Sequence, residues 1–283
     1  MNHVSGGLLL AVLAAPCTQG ESTVWAQDAA QARSRAVNGV ELAYEEHGAG
    51  PALLLLHGFG GCGRDWQPLV PGLAAHYRLI IPDLRGHGGS TNPSGTFTHR
   101  QAALDMFELL NQLGIGEFRA MGISSGGMTL LHMATEQPRR VEAMILIGAT
   151  TFFPEQARVI QRHTAAPDSL SPASLKKVRE CAKRGDMQVR DLVRQFNGFK
   201  DSYDDMTFTE PTLHTITART LIVHGDRDRF FPVSIPVQAY GAIPNSYLWI
   251  VPNGSHVPIF EPQAKQFEEL ALAFLRGDWD AHP

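Results

Sequence analysis

From Ala36 onward the chain repeats a simple order, in which short unbroken apolar runs are separated by longer stretches of helical spacing. The opening differs. Ala36-Val37-Asn38-Gly39-Val40-Glu41-Leu42-Ala43-Tyr44 alternates about Asn38-Gly39, a pair that tolerates positive φ, so an antiparallel hairpin is expected there. Apolar runs then fall at Ala52 to Leu56, Arg78 to Pro82, Phe118 to Met121, Val141 to Ile147, Arg219 to Val223 and Tyr247 to Val251. Strands that lack a polar face are buried on both sides, as in a parallel sheet covered by helices. His99 to Leu113, Met128 to Glu136 and Pro262 to Leu275 carry helical spacing between them. The alternation predicts an α/β protein with a mostly parallel twisted sheet flanked by helices.

One stretch, residues 150–213, interrupts this order, because no strong strand pattern occurs in it. Ser171-Pro172 starts a helix that Gly185 can stop, and Asp186 can cap a second helix running to about Phe196. Leu175, Val178, Val189, Leu192 and Val193 give these helices apolar faces, with Phe196 and Phe199 close behind. The expected organisation is a core of residues 27–149 and 214–283 with a helical cap at 150–213, since long insertions in compact domains commonly cover a site.

The 283 residues are 43% hydrophobic and 18% charged, enough for one large buried core. A formal charge of -4 offers no basic footprint, which excludes a nucleic-acid partner. The early apolar run Leu8 to Ala15 is far shorter than the roughly 20 residues of a membrane-spanning helix. It is followed by Val24-Trp25-Ala26, residues that suit a signal peptidase, so residues 1–26 are expected to be an export signal. The mature chain would begin at Gln27 and be secreted or periplasmic. Met1 to Gly7 holds no Lys or Arg, so the alternative is a cytoplasmic enzyme with an N-terminal tail. Pro16 before Cys17 argues against lipidation. Cys62 and Cys181 then remain, too few for a disulfide framework or a zinc cluster. A bridge between them would tie the loop beside Phe59 to the cap. The expectation is against it, because bonding needs Cα atoms within roughly 7 Å and spacing does not supply that.

The chemistry concentrates where strands end. Gly122-Ile123-Ser124-Ser125-Gly126 follows an apolar strand and precedes an apolar helix, the setting in which a sharp turn lifts a serine above a sheet. A serine hydroxyl needs a base, and the base an orienting acid. Leu221 to Val223 runs into His224-Gly225-Asp226-Arg227-Asp228, which offers two carboxylates at the same sheet edge. Tyr247 to Val251 runs into Pro252-Asn253-Gly254-Ser255-His256, which offers an imidazole. His256 is one of twelve histidines, and its order after serine and acid singles it out. The oxyanion formed on attack needs two N–H donors. Ser125 follows the nucleophile, and Phe59 lies in His57-Gly58-Phe59-Gly60-Gly61 after the strand ending at Leu56.

These segments resemble the α/β-hydrolase-fold enzymes of the capped esterase, lipase and cofactor-free haloperoxidase group. The likeness spans about Ala36 to Leu275 and includes Trp66 and Asp83-Leu84-Arg85-Gly86-His87-Gly88-Gly89-Ser90. The resemblance implies Asp228 as the acid, with Asp226 a turn residue, and Asp83, Arg85 and His87 as structural. It implies no metal or cofactor. A competing pattern, Gly58-x-Gly60-x-x-Gly63 with Asp83 about 20 residues later, imitates a dinucleotide fingerprint. That fingerprint opens the first βαβ unit, whereas this one follows a hairpin and leaves Gly122 to Gly126 unexplained. The expected function is cleavage of a small apolar ester by a carboxylic ester hydrolase, through an acyl-enzyme on Ser124. Carbon-carbon bond hydrolysis and perhydrolysis can use the same triad. A hydrolase-like receptor for a small ligand is the reading from another class.

Overall fold

The computed structural model describes residues 33–260 and 262–281, so the export signal expected over 1–26 lies outside the described residues. Arg33–Val37 (β1) and Val40–His47 (β2) form the hairpin, with positive φ at Asn38 and Gly39. Then come Ala52–Leu56 (β3), Val70–Ala74 (α1), Arg78–Pro82 (β4), His99–Gln112 (α2), Phe118–Ile123 (β5), Ser125–Glu136 (α3) and Val141–Ile147 (β6). Glu155–His163 (α4), Pro172–Cys181 (α5), Asp186–Gly198 (α6) and Glu210–Leu213 (α7) occupy the expected cap region and its return. Arg219–Gly225 (β7), Ser234–Ala242 (α8), Ser246–Val251 (β8) and Ala264–Arg276 (α9) complete the chain.

The strands make one sheet in the order β1-β2-β4-β3-β5-β6-β7-β8. β1 and β2 pair antiparallel, as do β2 and β4, and every other pairing is parallel. β3 shows why its run is unbroken. Leu54 and Leu56 enter the cluster beneath α2 and α3, whereas Leu53 and Leu55 enter the cluster with α1 and α9. All four are fully buried, each worth roughly 1.5–3 kcal/mol against exposure. Because β4 and β5 flank β3 on opposite sides, the strand order reverses there, and a crevice opens at the carboxyl ends of β3 and β5.

The cap departs from expectation at four points. α4 is an extra helix, polar in sequence, whose Arg158 is buried and donates to the carbonyls of Phe153, Phe199, Lys200 and Ser202. α5 stops at Cys181, ahead of Gly185. Gly185 instead stands at the N-cap of α6, where its φ of +77° suits a glycine, and Asp186 is the first helical residue with no capping side-chain bond. Finally, Cys62 and Cys181 are joined by a disulfide, with Cα atoms 5.5 Å apart. The expectation of two free thiols is corrected. The end of α5 folds down beside the loop after β3, a tertiary approach that spacing does not encode. Among the described residues no helix is long and apolar enough to cross a membrane.

Candidate active site

Ser124 sits between β5 and α3 with φ 50° and ψ -114°, a conformation that strains a residue with a side chain by roughly 1–3 kcal/mol. Its flanking glycines permit the turn. A Cβ on Gly122 would lie 2.5 Å from the backbone of Gly126, and one on Gly126 would lie 2.2 Å from the Leu56 carbonyl oxygen. No other residue fits the crossing of β5, α3 and β3. The Ser124 amide is anchored by the Ile147 carbonyl at 2.7 Å, so the strained residue is held from the neighbouring strand.

His256 approaches from the turn after β8. Its Nε2 lies 3.0 Å from Ser124 Oγ, and its Nδ1 lies 2.7 Å from Asp228 Oδ2. The carboxylate places the proton on Nδ1, which leaves Nε2 to accept from the serine hydroxyl. The other oxygen, Asp228 Oδ1, accepts from the amides of Phe230 at 2.7 Å and Phe231 at 3.2 Å. Burial opposes ionisation of this carboxyl. The hydrogen bond and charge of His256, with the Phe230 amide, outweigh it and hold Asp228 below the ordinary carboxylate range. Asp226 does not reach the imidazole. It is a turn residue whose side chain lies 3.8 Å from Arg227. The structure therefore brings Ser124, Asp228 and His256 together and leaves Asp226 aside.

Phe59 and Ser125 flank Ser124 from two directions. The Phe59 amide has no acceptor among the described residues, and Ser125 is the first residue of α3, where helix N–H groups lack intrahelical partners. The segment around Asp83 supports this loop. Asp83 Oδ1 accepts from the Gly63 amide and Oδ2 from the Gly89 amide, both at 2.8 Å. Both carboxylate oxygens of Asp83 are thereby engaged within the chain, in bracing the loop after β3. Arg85 grips Asp105 with two bonds of 2.6 and 2.7 Å, and His87 is wholly buried against the Phe59 ring.

Above Ser124 lies a cavity of about 440 Å³. Phe59, Phe153, Phe196, Phe199, Phe230 and Phe231 line it, with Leu192 and Val193 from α6. Phe59 meets Phe199 edge to face at 5.0 Å and Phe230 tilts against His256 at 4.8 Å between centroids, while Phe153 and Phe199 stack at 5.3 Å. Sequence reasoning named Phe59, Phe196 and Phe199. It missed Phe153, Phe230 and Phe231, although Phe230-Phe231 immediately after Asp228-Arg229 was a visible signal.

The model of the alpha/beta hydrolase fold family matches residues 51–166. With this sheet, elbow and strand order, the chain is an α/β-hydrolase-fold protein. It is similar to a putative non-heme bromoperoxidase of Mycobacterium tuberculosis, 27% identical over 248 residues, covering 80% of this chain and 94% of that one. It is also similar to the 2-hydroxy-6-oxo-6-(2'-aminophenyl)hexa-2,4-dienoic acid hydrolase of Metapseudomonas resinovorans, 24% identical over 276 residues, covering 84% and 88%. Among solved structures, a carboxylesterase of Bacillus subtilis superposes with a TM-score of 0.73 at 20% identity, covering 88% of this chain and 92% of that one.

Proposed function

We propose that the protein is a serine carboxylic ester hydrolase acting on a small ester with an apolar, aromatic-compatible acyl group. The observation that carries this reading is the chain of contacts Ser124 Oγ to His256 Nε2 to Asp228 Oδ2, opening into an aromatic-walled cavity. In this mechanism His256 Nε2 takes the hydroxyl proton as Ser124 Oγ attacks the carbonyl carbon. The oxyanion receives the N–H groups of Phe59 and Ser125. His256 then returns the proton to the leaving alkoxide, and water enters by the same route to release the acid. Asp228 keeps the imidazole in one tautomer and stabilises its charged form.

A second reading, carbon-carbon bond hydrolysis, is favoured by the dienoic acid hydrolase among the relatives. An acid substrate brings a carboxylate into the cavity. Lys177 is the one lysine or arginine among the lining residues, and it already faces Asp65 Oδ1 at 3.3 Å. That weighs toward a neutral ester. A panel of aryl esters of increasing acyl length, set beside lactones, amides, diketo acids and peracid formation, tests the assignment. Highest kcat/KM on a neutral ester supports it, and preference for a diketo acid overturns it.

Export is part of the proposal, since the Cys62–Cys181 bond suits an oxidising compartment. N-terminal sequencing from the native host should begin at Gln27. Met1 on soluble cytoplasmic protein would contradict it.

A further inference from the structure

Beside Ser124, a second serine repeats the same contact geometry with different partners. Ser125 Oγ lies 3.1 Å from His99 Nε2, and His99 Nδ1 lies 2.6 Å from Asp205 Oδ2. The three residues come from separate parts of the chain. Ser125 opens α3, His99 opens α2, and Asp205 lies in the segment returning from the cap, between Asp201 and α7. Asp205 is held from several sides. Its Oδ2 accepts the His99 amide at 2.9 Å and its Oδ1 the Arg100 amide at 3.1 Å, while its backbone carbonyl accepts from His132 Nε2 at 2.7 Å. Burial opposes its ionisation, but the bonds and charge of His99, with the two amides, keep its carboxyl below the ordinary range.

The constellation is poorly placed to supply a second nucleophile. Ser125 lies within a helix, whereas Ser124 is held at positive φ between strand and helix. His99 has no exposed surface, and Phe97, Phe153 and Phe199 pack on its ring at 5.3, 5.9 and 5.3 Å. A leaving group has no path to its Nε2. What the network does fix is the side chain of the residue whose amide faces the nascent oxyanion. The Ser125 carbonyl is pinned as well, by Thr129 Oγ1 at 2.8 Å. An oxyanion donor is effective only when it is already aimed, and the peptide after a strained Ser124 tends to relax unless its far end is tied.

We propose that His99 and Asp205 are positioning residues for the oxyanion hole. They act through the Ser125 hydroxyl and tie the aim of its amide to the segment that returns from the cap. The proposal rests on the reading of Ser124 as nucleophile and of the Ser125 amide as oxyanion donor.

The test uses Ser125→Ala, His99→Ala and Asp205→Asn in the full mature chain. Active sites are titrated with an aryl fluorophosphonate, and kcat, KM and the Ki of an aryl trifluoromethyl ketone are measured per titrated site. The ketone mimics the tetrahedral intermediate. Each variant is expected to lose about 10- to 100-fold in kcat, somewhat less than the loss of a whole donor, with KM within about twofold. Ki should rise by the same factor as kcat falls. The double variant Ser125→Ala/His99→Ala should be no worse than the poorer single one. Unchanged kcat and Ki per titrated site, with only a lower melting temperature or a smaller active fraction, would overturn the proposal. Ser125→Ala removes a single oxygen and keeps the amide, so it decides the matter even if the buried histidine or aspartate variants fail to fold. Fluorophosphonate labelling of Ser125 in a Ser124→Ala background would also overturn it, by making Ser125 a nucleophile. Failure of the underlying reading looks different, because the wild-type protein would then take no label on Ser124.

Discussion

Cys62 and Cys181 join the loop that carries Phe59 to the end of α5, with their Cα atoms 5.5 Å apart at a sequence separation of 119. Lys177, one turn earlier on α5, faces Asp65 across the same junction at 3.3 Å. The cap is thus fastened to the core beside the proposed oxyanion hole.

Opening this bridge should loosen the cap first. Closing a loop of this length restricts the unfolded chain by about 5 kcal/mol in the chain-entropy account, and removal of native bridges typically costs about 2–5 kcal/mol. Cys181→Ser, or reduction of the wild type, is expected to lower stability within that range by urea denaturation. Thiol counting on denatured, unreduced protein should find neither cysteine free.

The two aspartates after β7 should separate clearly. Asp228→Asn leaves the imidazole without the acceptor that fixes its tautomer, and turnover should fall by roughly 10⁴-fold, as in a serine protease precedent. Asp226→Asn, whose carboxylate makes no bond to His256, should change kcat by less than about threefold. Steady-state rates on the best ester decide, and the reverse order would refute the acid assignment.

Most of the frame was readable from pattern because its causes are local. The runs at Ala52 to Leu56 and Val141 to Ile147 are strands in the structure with those same bounds, since strands covered on both faces stay apolar along their buried length, with only Glu142, next to the start of its strand, charged and exposed. The placement of Ser124, Asp228 and His256 also followed from strand-end order. The misses share another cause. The Cys62–Cys181 bond and the His99–Asp205 contact depend on how the cap returns to the core, across separations of 119 and 106 residues. α4 was hidden because its buried residues are Ala157, Arg158 and Gln161, with Arg158 held by tertiary bonds to four backbone carbonyls, so no apolar stripe announced it.

Acid should destabilise the protein well before its carboxylates titrate. Burial is the main cause that pushes His87 down from its ordinary 6.5 to about 3, and burial lowers His57 as well. Below the ordinary value the unfolded chain binds a proton at His87 that the folded chain refuses, so stability falls as pH drops from about 6.5 toward 3. The slope for one such group is half of about 1.4 kcal/mol per pH unit at pH 6.5 and approaches that value below it, which amounts to about 1.6 kcal/mol between pH 6.5 and 5. Urea titrations at both pH values should show at least that loss in the wild type and a smaller one in His87→Gln.

Cap aromatics should differ in what they control. Phe199 is buried and its ring meets Phe59, Phe97, Phe153 and His99, so Phe199→Ala should cost about 3–5 kcal/mol of stability. Phe196 is only half-buried and lines the cavity, so Phe196→Ala should shift acyl-length preference toward longer chains with little change in melting temperature. Melting curves and kcat/KM across an acyl-length series of aryl esters distinguish the two.

The central claim is that Ser124 Oγ is the attacking atom. The direct measurement is turnover of the best ester by Ser124→Ala, with the melting temperature and circular dichroism of the same preparation. The account predicts a loss of roughly 10⁴-fold or more, with fold and stability retained, because only an oxygen above the sheet is removed. Wild-type turnover by Ser124→Ala would contradict it, and with it the serine-hydrolase reading.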